Sequence, residues 1–263
     1  MEKRFQIYLE IEDENLKISN VDIDFEVVKT SDFIPNFALV SVWNIDEKIY
    51  QILTRTTSKI NLIYSTEEWD CVLIRGNVDS TSFSQKIVEK YPNTRDILST
   101  FTIIVSKTEI ENVYVNQNFR DKFSTTEILE LCAKSLGLTF VCDAEILPSQ
   151  EFPYLKVKGA AYSIISKICT NLSLKFSLDN DALEIFSDEK ISYQTDYKFN
   201  KENSLLLQKN NDEFELQTDY TPELNFSTPI EVDFEVLNGI FLPKKICTIG
   251  NNYEKKLSTF ITI

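Results

Sequence analysis

The sequence predicts a mainly β protein of the α+β class, organised as a β domain, a small α/β insert and a second β domain. Three observations lead there. Alternating apolar positions fill both ends of the chain, the mark of half-buried strands. The middle third switches to helical spacing behind a helix-capping signature. The composition holds 18 Phe and 11 Tyr but only five Gly, and aromatic and β-branched residues favour strands. At 263 residues the chain is long enough to bury a sizeable core and to divide into two or three domains. The expected boundaries are 1–115, 116–192 and 193–263, with the last β segment either a domain of its own or one that packs with or completes the first.

In the first domain, Phe5 to Ile11 alternates and Leu16 to Asn20 reads as its return strand. Val21, Ile23, Phe25 and Val27 share one face of the next strand, and Ala38, Val40 and Val42 share one face of another. Ile49, Ile52 and Leu53 fall at helical spacing within residues 46–56. Strands follow at Lys59–Tyr64, Trp69–Arg75 ending at Gly76, Asn77–Phe83 and Ile97–Val105. Short strands at this spacing with one helix suggest a closed or nearly closed barrel.

The insert opens with Ser124-Thr-Thr-Glu127, a capping box, before Ile128, Leu129, Leu131, Cys132 and Leu136. Gly137 suits the position just past the helix end. Leu138–Cys142 and Tyr154–Lys158 read as strands, with a loop bracketed by Pro148 and Pro153. Ala160–Leu172 reads as a second helix, with Ile164, Ile165, Ile168 and Cys169 apolar and Lys167 polar. Leu174–Leu178 and Ala182–Phe186 read as a hairpin around Asp179-Asn-Asp181. In the last segment, strands are expected at Ser204–Gln208, Glu213–Gln217, Pro229–Val236, Lys244–Thr248 and Leu257–Ile263. Pro222 marks a break, and turns are expected at Asn238-Gly239 and Asn251-Asn252.

Charge narrows the function. Twenty-seven Lys and Arg against 41 Asp and Glu leave a formal charge of −14. A sequence-specific reader of nucleic acid needs a basic footprint, so that class is not expected. The start of the chain has a basic pair and no apolar run, so no signal peptide is expected. No stretch nears the roughly 18 apolar residues of a membrane span.

Catalytic and metal-binding residues are not assigned, nor is any cofactor. The chain has no His, which removes Ser-His-Asp and Cys-His machinery and mixed Cys/His zinc sites. Cys71, Cys132, Cys142, Cys169 and Cys247 form no CxxC pair and sit in apolar surroundings, as buried free thiols do. Carboxylates recur in pairs at Glu10/Glu12, Glu67/Glu68 and Asp179/Asp181. A glycosidase needs two facing carboxylates across a cleft, and solvated loop charge explains these pairs equally well. Asp179-Asn-Asp181 lacks the rest of a calcium loop and reads as a tight turn. No glycine-rich phosphate loop occurs. Trp43 and Trp69 read as core or interface residues in strands.

The order of several phrases resembles a known family. Phe25-Glu-Val-Val-Lys-Thr30 is followed by Asn36-Phe-Ala38, then Asn44-Ile45 before the first helix, then Ile60-Asn-Leu-Ile-Tyr64 and Val72-Leu-Ile-Arg-Gly76. In this order they resemble the late control protein D family, the central hubs of contractile phage tails and tailocins. The likeness spans nearly the whole chain as a loose pattern. The Gly-Tyr that often follows the strand before Gly76 is here Tyr64 alone, and the chain is shorter than many hubs.

The resemblance implies two tube-type β-barrel domains per chain. Three chains would form a homotrimeric, pseudo-sixfold ring between a tail tube and a trimeric spike, held by strand edges and apolar burial. It implies the tail tube protein, the spike, the tape-measure protein and other baseplate proteins as partners, without membrane insertion. It implies assembly in the bacterial cytoplasm and residence in the virion tail or baseplate. Acidic residues would partly line a bore, where they keep passing DNA from sticking. A sixfold distal tail or tube-adaptor protein, a tail-borne cell-wall hydrolase and a plain binding module remain as alternative readings.

Overall fold

The computed structural model describes residues 5–31, 36–55, 59–90, 93–105, 112–118, 123–142, 146–148, 151–152, 156–179, 182–187, 195–209, 213–221 and 224–263. The first segment contains β1 (Phe5–Ile11), β2 (Leu16–Ile18), β3 (Ile23–Thr30), β4 (Phe37–Trp43), α1 (Glu47–Arg55), β5 (Ile60–Thr66), β6 (Asp70–Val88) and β7 (Asp96–Ile104). The insert contains β8 (Tyr114–Asn118), β9 (Phe123–Ser124), α2 (Thr125–Ser135), β10 (Thr139–Cys142), β11 (Glu151–Phe152), β12 (Lys156–Ala160), α3 (Ala161–Asn171), β13 (Lys175–Asp179) and β14 (Ala182–Phe186). The last segment contains β15 (Tyr197–Asn200), β16 (Ser204–Lys209), β17 (Glu213–Asp219), β18 (Ile230–Phe234), β19 (Leu237–Phe241), β20 (Lys245–Asn251) and β21 (Lys256–Thr262).

The mainly β expectation holds. The expectation of two barrels does not describe the pairing found. One 11-stranded sheet runs β16-β17-β21-β20-β3-β4-β7-β6-β5-β1-β2, open at β16 and at β2. The two β segments join through antiparallel pairing of β20 with β3, from Lys245 opposite Thr30 to Asn251 opposite Asp24. Among the described residues no ladder closes on itself.

The sheet rolls because β6 serves two partners. Its first part, Asp70 to Gly76, pairs with β5, and its second part, from Asn77, pairs with β7. Trp69–Arg75 and Asn77–Phe83, expected as two strands, are therefore one strand of 19 residues. Gly76 marks the handover. A Cβ there would lie 2.4 Å from the carbonyl oxygen of Ile104, so the residue permits a close backbone approach and ends nothing. Further along, the register slips between Asp79 and Ser84. The Ser82 hydroxyl accepts from the Thr102 amide at 2.8 Å, filling the gap in the ladder. The roll brings β1 and β5 over β3, β4 and β7, with Leu9, Phe25, Val40, Leu62, Ile74 and Phe101 in one buried cluster. Helix α1 covers this core: Leu53 is buried, and Tyr50 meets Phe83 edge-on, which in turn stacks on Phe101.

In the insert, α2 and α3 pack on the three-stranded sheet β10-β14-β13 around Leu129, Cys132, Ile165, Cys169, Leu183 and Ile185. The capping box is present: the Ser124 hydroxyl accepts from the Glu127 amide, and the Glu127 carboxylate accepts from the Ser124 amide. Gly137 (φ 72°) follows the helix, with its amide bonded to Lys134 and that of Leu138 to Ala133. Helix α3 ends the same way on Ser173 (φ 54°), a residue with no such signal in the sequence. The hairpin residues Asn180 and Asp181, like Pro153 and Pro222, lie outside the described residues.

The last segment buries Phe199, Leu216, Phe226, Ile230, Val232 and Ile261 in a third cluster. Its small sheet β15-β18-β19 begins with β15 parallel to β18, a strand the sequence reading lacked. The expected Asn238-Gly239 turn is corrected. The chain turns at Glu235 and Val236, and Asn238 and Gly239 lie within β19 opposite Asp233 and Val232.

Candidate functional site

The carboxylates singled out in the sequence are not gathered into one site. Glu12, just past β1, accepts two hydrogen bonds from the Arg75 guanidinium at 2.6 and 2.9 Å. That bond holds its carboxyl below the ordinary glutamate range. Glu67 and Glu68 are exposed in the turn between β5 and β6, together with Trp69, which is exposed and lies outside the strand. Asp179 pairs with Lys29 of β3 at 2.5 Å, while Asp181 lies outside the described residues. Among the described residues no three metal-ligating side chains stand close enough to hold an ion. Burial pushes the Cys132 thiol up to about 11 and those of Cys169 and Cys247 to about 12. These sulfurs therefore stay protonated near neutral pH, poor nucleophiles.

A different carboxylate stands out, one marked by no motif or spacing. Glu184 sits on β14 with its side chain turned away from the insert core, between Leu183 and Ile185, which face into that core. It is 8% exposed and accepts a short hydrogen bond from the Ser227 hydroxyl. Burial raises its pKa, with Asp179 adding to the rise and Ser227 and Lys29 opposing it. Glu184 thus belongs to the junction of all three segments. Around it, Lys29 bonds Asp179, the Asn36 amide group donates to the Leu178 carbonyl at 3.0 Å, and Phe186 stacks with Phe226. Nearby, Tyr220 from the last segment meets Tyr64 edge-on at 4.9 Å and donates to the Cys71 sulfur.

The surface is more informative than any cleft. The register places Leu205, Gln217, Phe260, Cys247, Val28, Phe37 and Ile104 side by side across seven strands. This row lies on the face opposite the buried clusters; Val28 and Cys247 within it are themselves buried, and Leu205 is its exposed member. Ile249 and Leu39, both exposed, flank Glu26 in the neighbouring row. At the open edge, β16 presents Leu205, 55% exposed, and Leu207. The other edge, β2, is three residues long and carries Lys17, whose ammonium lies 3.5 Å from the Tyr8 ring. A short, charged strand discourages further pairing, whereas a six-residue leucine strand invites it. Three leucines in a row at 205–207 were the available sequence signal, since alternation must turn some of them outward.

No protein-family model matches the chain, and no curated protein matches it in sequence. Solved structures do match. The 43 kDa tail protein of prophage MuSo2 from Shewanella oneidensis superposes with a TM-score of 0.67 at 9% identity, over 99% of this chain and 98% of that one. The tail protein from Neisseria meningitidis MC58 gives 0.63 at 6% identity, over 98% and 95%. This chain has the fold of phage tail proteins. The E. coli c3393 protein gives 0.57 at 12% identity, over 97% of this chain and 75% of that one. That protein is described as a component of the type VI secretion system with structural similarity to the T4 bacteriophage tail proteins gp27 and gp5.

Proposed function

We propose that this chain is a structural protein of a phage tail or phage-tail-like particle, and specifically its baseplate hub. Three copies form a pseudo-sixfold ring that joins the tail tube above to a trimeric spike below. The observation that carries this reading is the shared fold over nearly the full length of both the Shewanella and the Neisseria tail proteins. The β16 edge, unpaired among the described residues, with exposed Leu205 and Leu207, and the exposed Leu39 and Ile249 support association by strand-edge contact and apolar burial. We read the role as structural rather than catalytic, which fits the ion-paired Glu12 and Asp179 and the protonated thiols. Tube, spike, tape-measure and other baseplate proteins are its partners, and the tail of the virion is its place.

Single-particle electron microscopy of the purified chain tests this directly. A threefold ring with six pseudo-equivalent lobes around an open bore is the expected result. A sixfold ring would favour a distal tube adaptor instead. A chain that stays monomeric with its tube and spike partners present would end the hub reading.

A further inference from the structure

The Lys90 ammonium, at the tip of the β6–β7 hairpin, sits in a cage built from distant parts of the chain. Asp22 Oδ2 lies 2.6 Å away, the Tyr253 ring centroid 3.8 Å and the Trp43 ring centroid 4.5 Å. The lysine side chain is only 8% exposed. One carboxylate braces both rings: Asp24 Oδ2 accepts from the Trp43 indole N–H at 2.8 Å, and Asp24 Oδ1 accepts from the Tyr253 hydroxyl at 2.7 Å. Asn252, next to Tyr253, is bonded to β3 and the residues before it. Its side chain accepts from the Ile23 amide and donates to the Val21 carbonyl. The Trp43 amide in turn bonds the Asp22 carbonyl at 2.9 Å. None of these bonds involves Lys90, so the two rings and the Asp22 backbone are fixed independently of the cation, while the Asp22 carboxylate meets Lys90 from a partly exposed position. Two aromatic faces and a carboxylate around a desolvated ammonium are what cation recognition requires.

We propose that Asp22, Trp43 and Tyr253, braced by Asp24, form a preorganised binding site for a primary alkylammonium group, which Lys90 fills as a tethered ligand. The site latches the β6–β7 hairpin to the junction of β3 with the β20–β21 turn. An external amine of the same chemistry, such as a lysine side chain, enters only where Lys90 has left.

The test uses the full chain with Trp69→Phe, which leaves Trp43 as the single tryptophan reporter. Lys90→Ala in that background is expected to lower Tm by about 2–4 °C and to shift Trp43 emission. Added n-propylammonium chloride should reverse both changes with a saturating dependence, whereas sodium chloride at equal concentration should not. Adding Asp22→Asn to Lys90→Ala should abolish the reversal. A linear response shared with sodium, or an equal response in the double variant, overturns the proposal. Should Lys90→Ala fail to fold, Lys90→Met, which keeps the aliphatic stem, is titrated the same way. It must then show displacement of its stem by propylammonium as a saturable emission change; its absence counts against the site.

Discussion

Glu184 and Glu12 show how single carboxylates set opposite pH dependences in one molecule. Glu184 has a raised pKa in the folded chain because burial penalises its charge. Such an acid holds its proton when folded at a pH where the unfolded chain releases it. Stability therefore falls as pH rises from the ordinary glutamate value through the raised one, and stays lower above it. Glu184→Gln keeps an acceptor for Ser227 and removes the charge. Its Tm is expected to exceed that of the wild type at pH 8 and to converge with it at pH 4. A variant less stable at pH 8 would mean that the ionised carboxylate, through Lys29, holds the junction together. Glu12, bonded by Arg75, works the other way: its contribution is present above the ordinary value and lost as pH falls through the lowered one. Partial exposure of both partners keeps that contribution small.

At the scale of elements, two positions carry more than their size suggests. Ser124 and Glu127 satisfy two amide groups at the start of α2, so Ser124→Ala should cost about 1 kcal/mol in urea-induced unfolding. Gly76 lies where β6 leaves β5 for β7, and a methyl group there would press into the Ile104 carbonyl. Gly76→Ala is expected to destabilise by about 1–3 kcal/mol or more, since backbone on both sides resists a shift. A loss under about 0.5 kcal/mol by the same assay would show that the crossing is loose. Gly239 teaches a related lesson. Paired with asparagine, it reads as a hairpin turn, yet it sits inside β19 at φ 151°. A Cβ there would lie 3.4 Å from the Phe241 ring. The residue accommodates an aromatic neighbour in the strand, and local turn chemistry yields to the register that sets Asn238 and Gly239 opposite Asp233 and Val232.

At the scale of the whole molecule, the prediction concerns assembly. If three copies associate through the free β16 edge, Leu205→Lys with Leu207→Lys should abolish the ring in sedimentation. The fold itself should be little changed, because exposed positions rarely shift stability by more than about 0.5 kcal/mol. A ring that survives the double substitution would move the subunit contact elsewhere on the sheet. Most strands of the two β segments, the inward faces of β1, β3 and β4, and the α2 cap were legible in the sequence, whereas β15 and the continuity of β6 were not. Each depends on residues a few positions apart, where period and capping chemistry act. The sequence also carried the excess of acid and the order of phrases that resembles the tail hubs. Only the tertiary structure decided that the two β segments share one open sheet, that β6 crosses between two partners, and that Glu184 lies at a three-way junction. It alone brought Tyr253 to Asp24 across 229 positions to cage Lys90. Such contacts depend on how distant strands register against one another, and periodicity within a strand says which face is buried but not which strand will lie beside it.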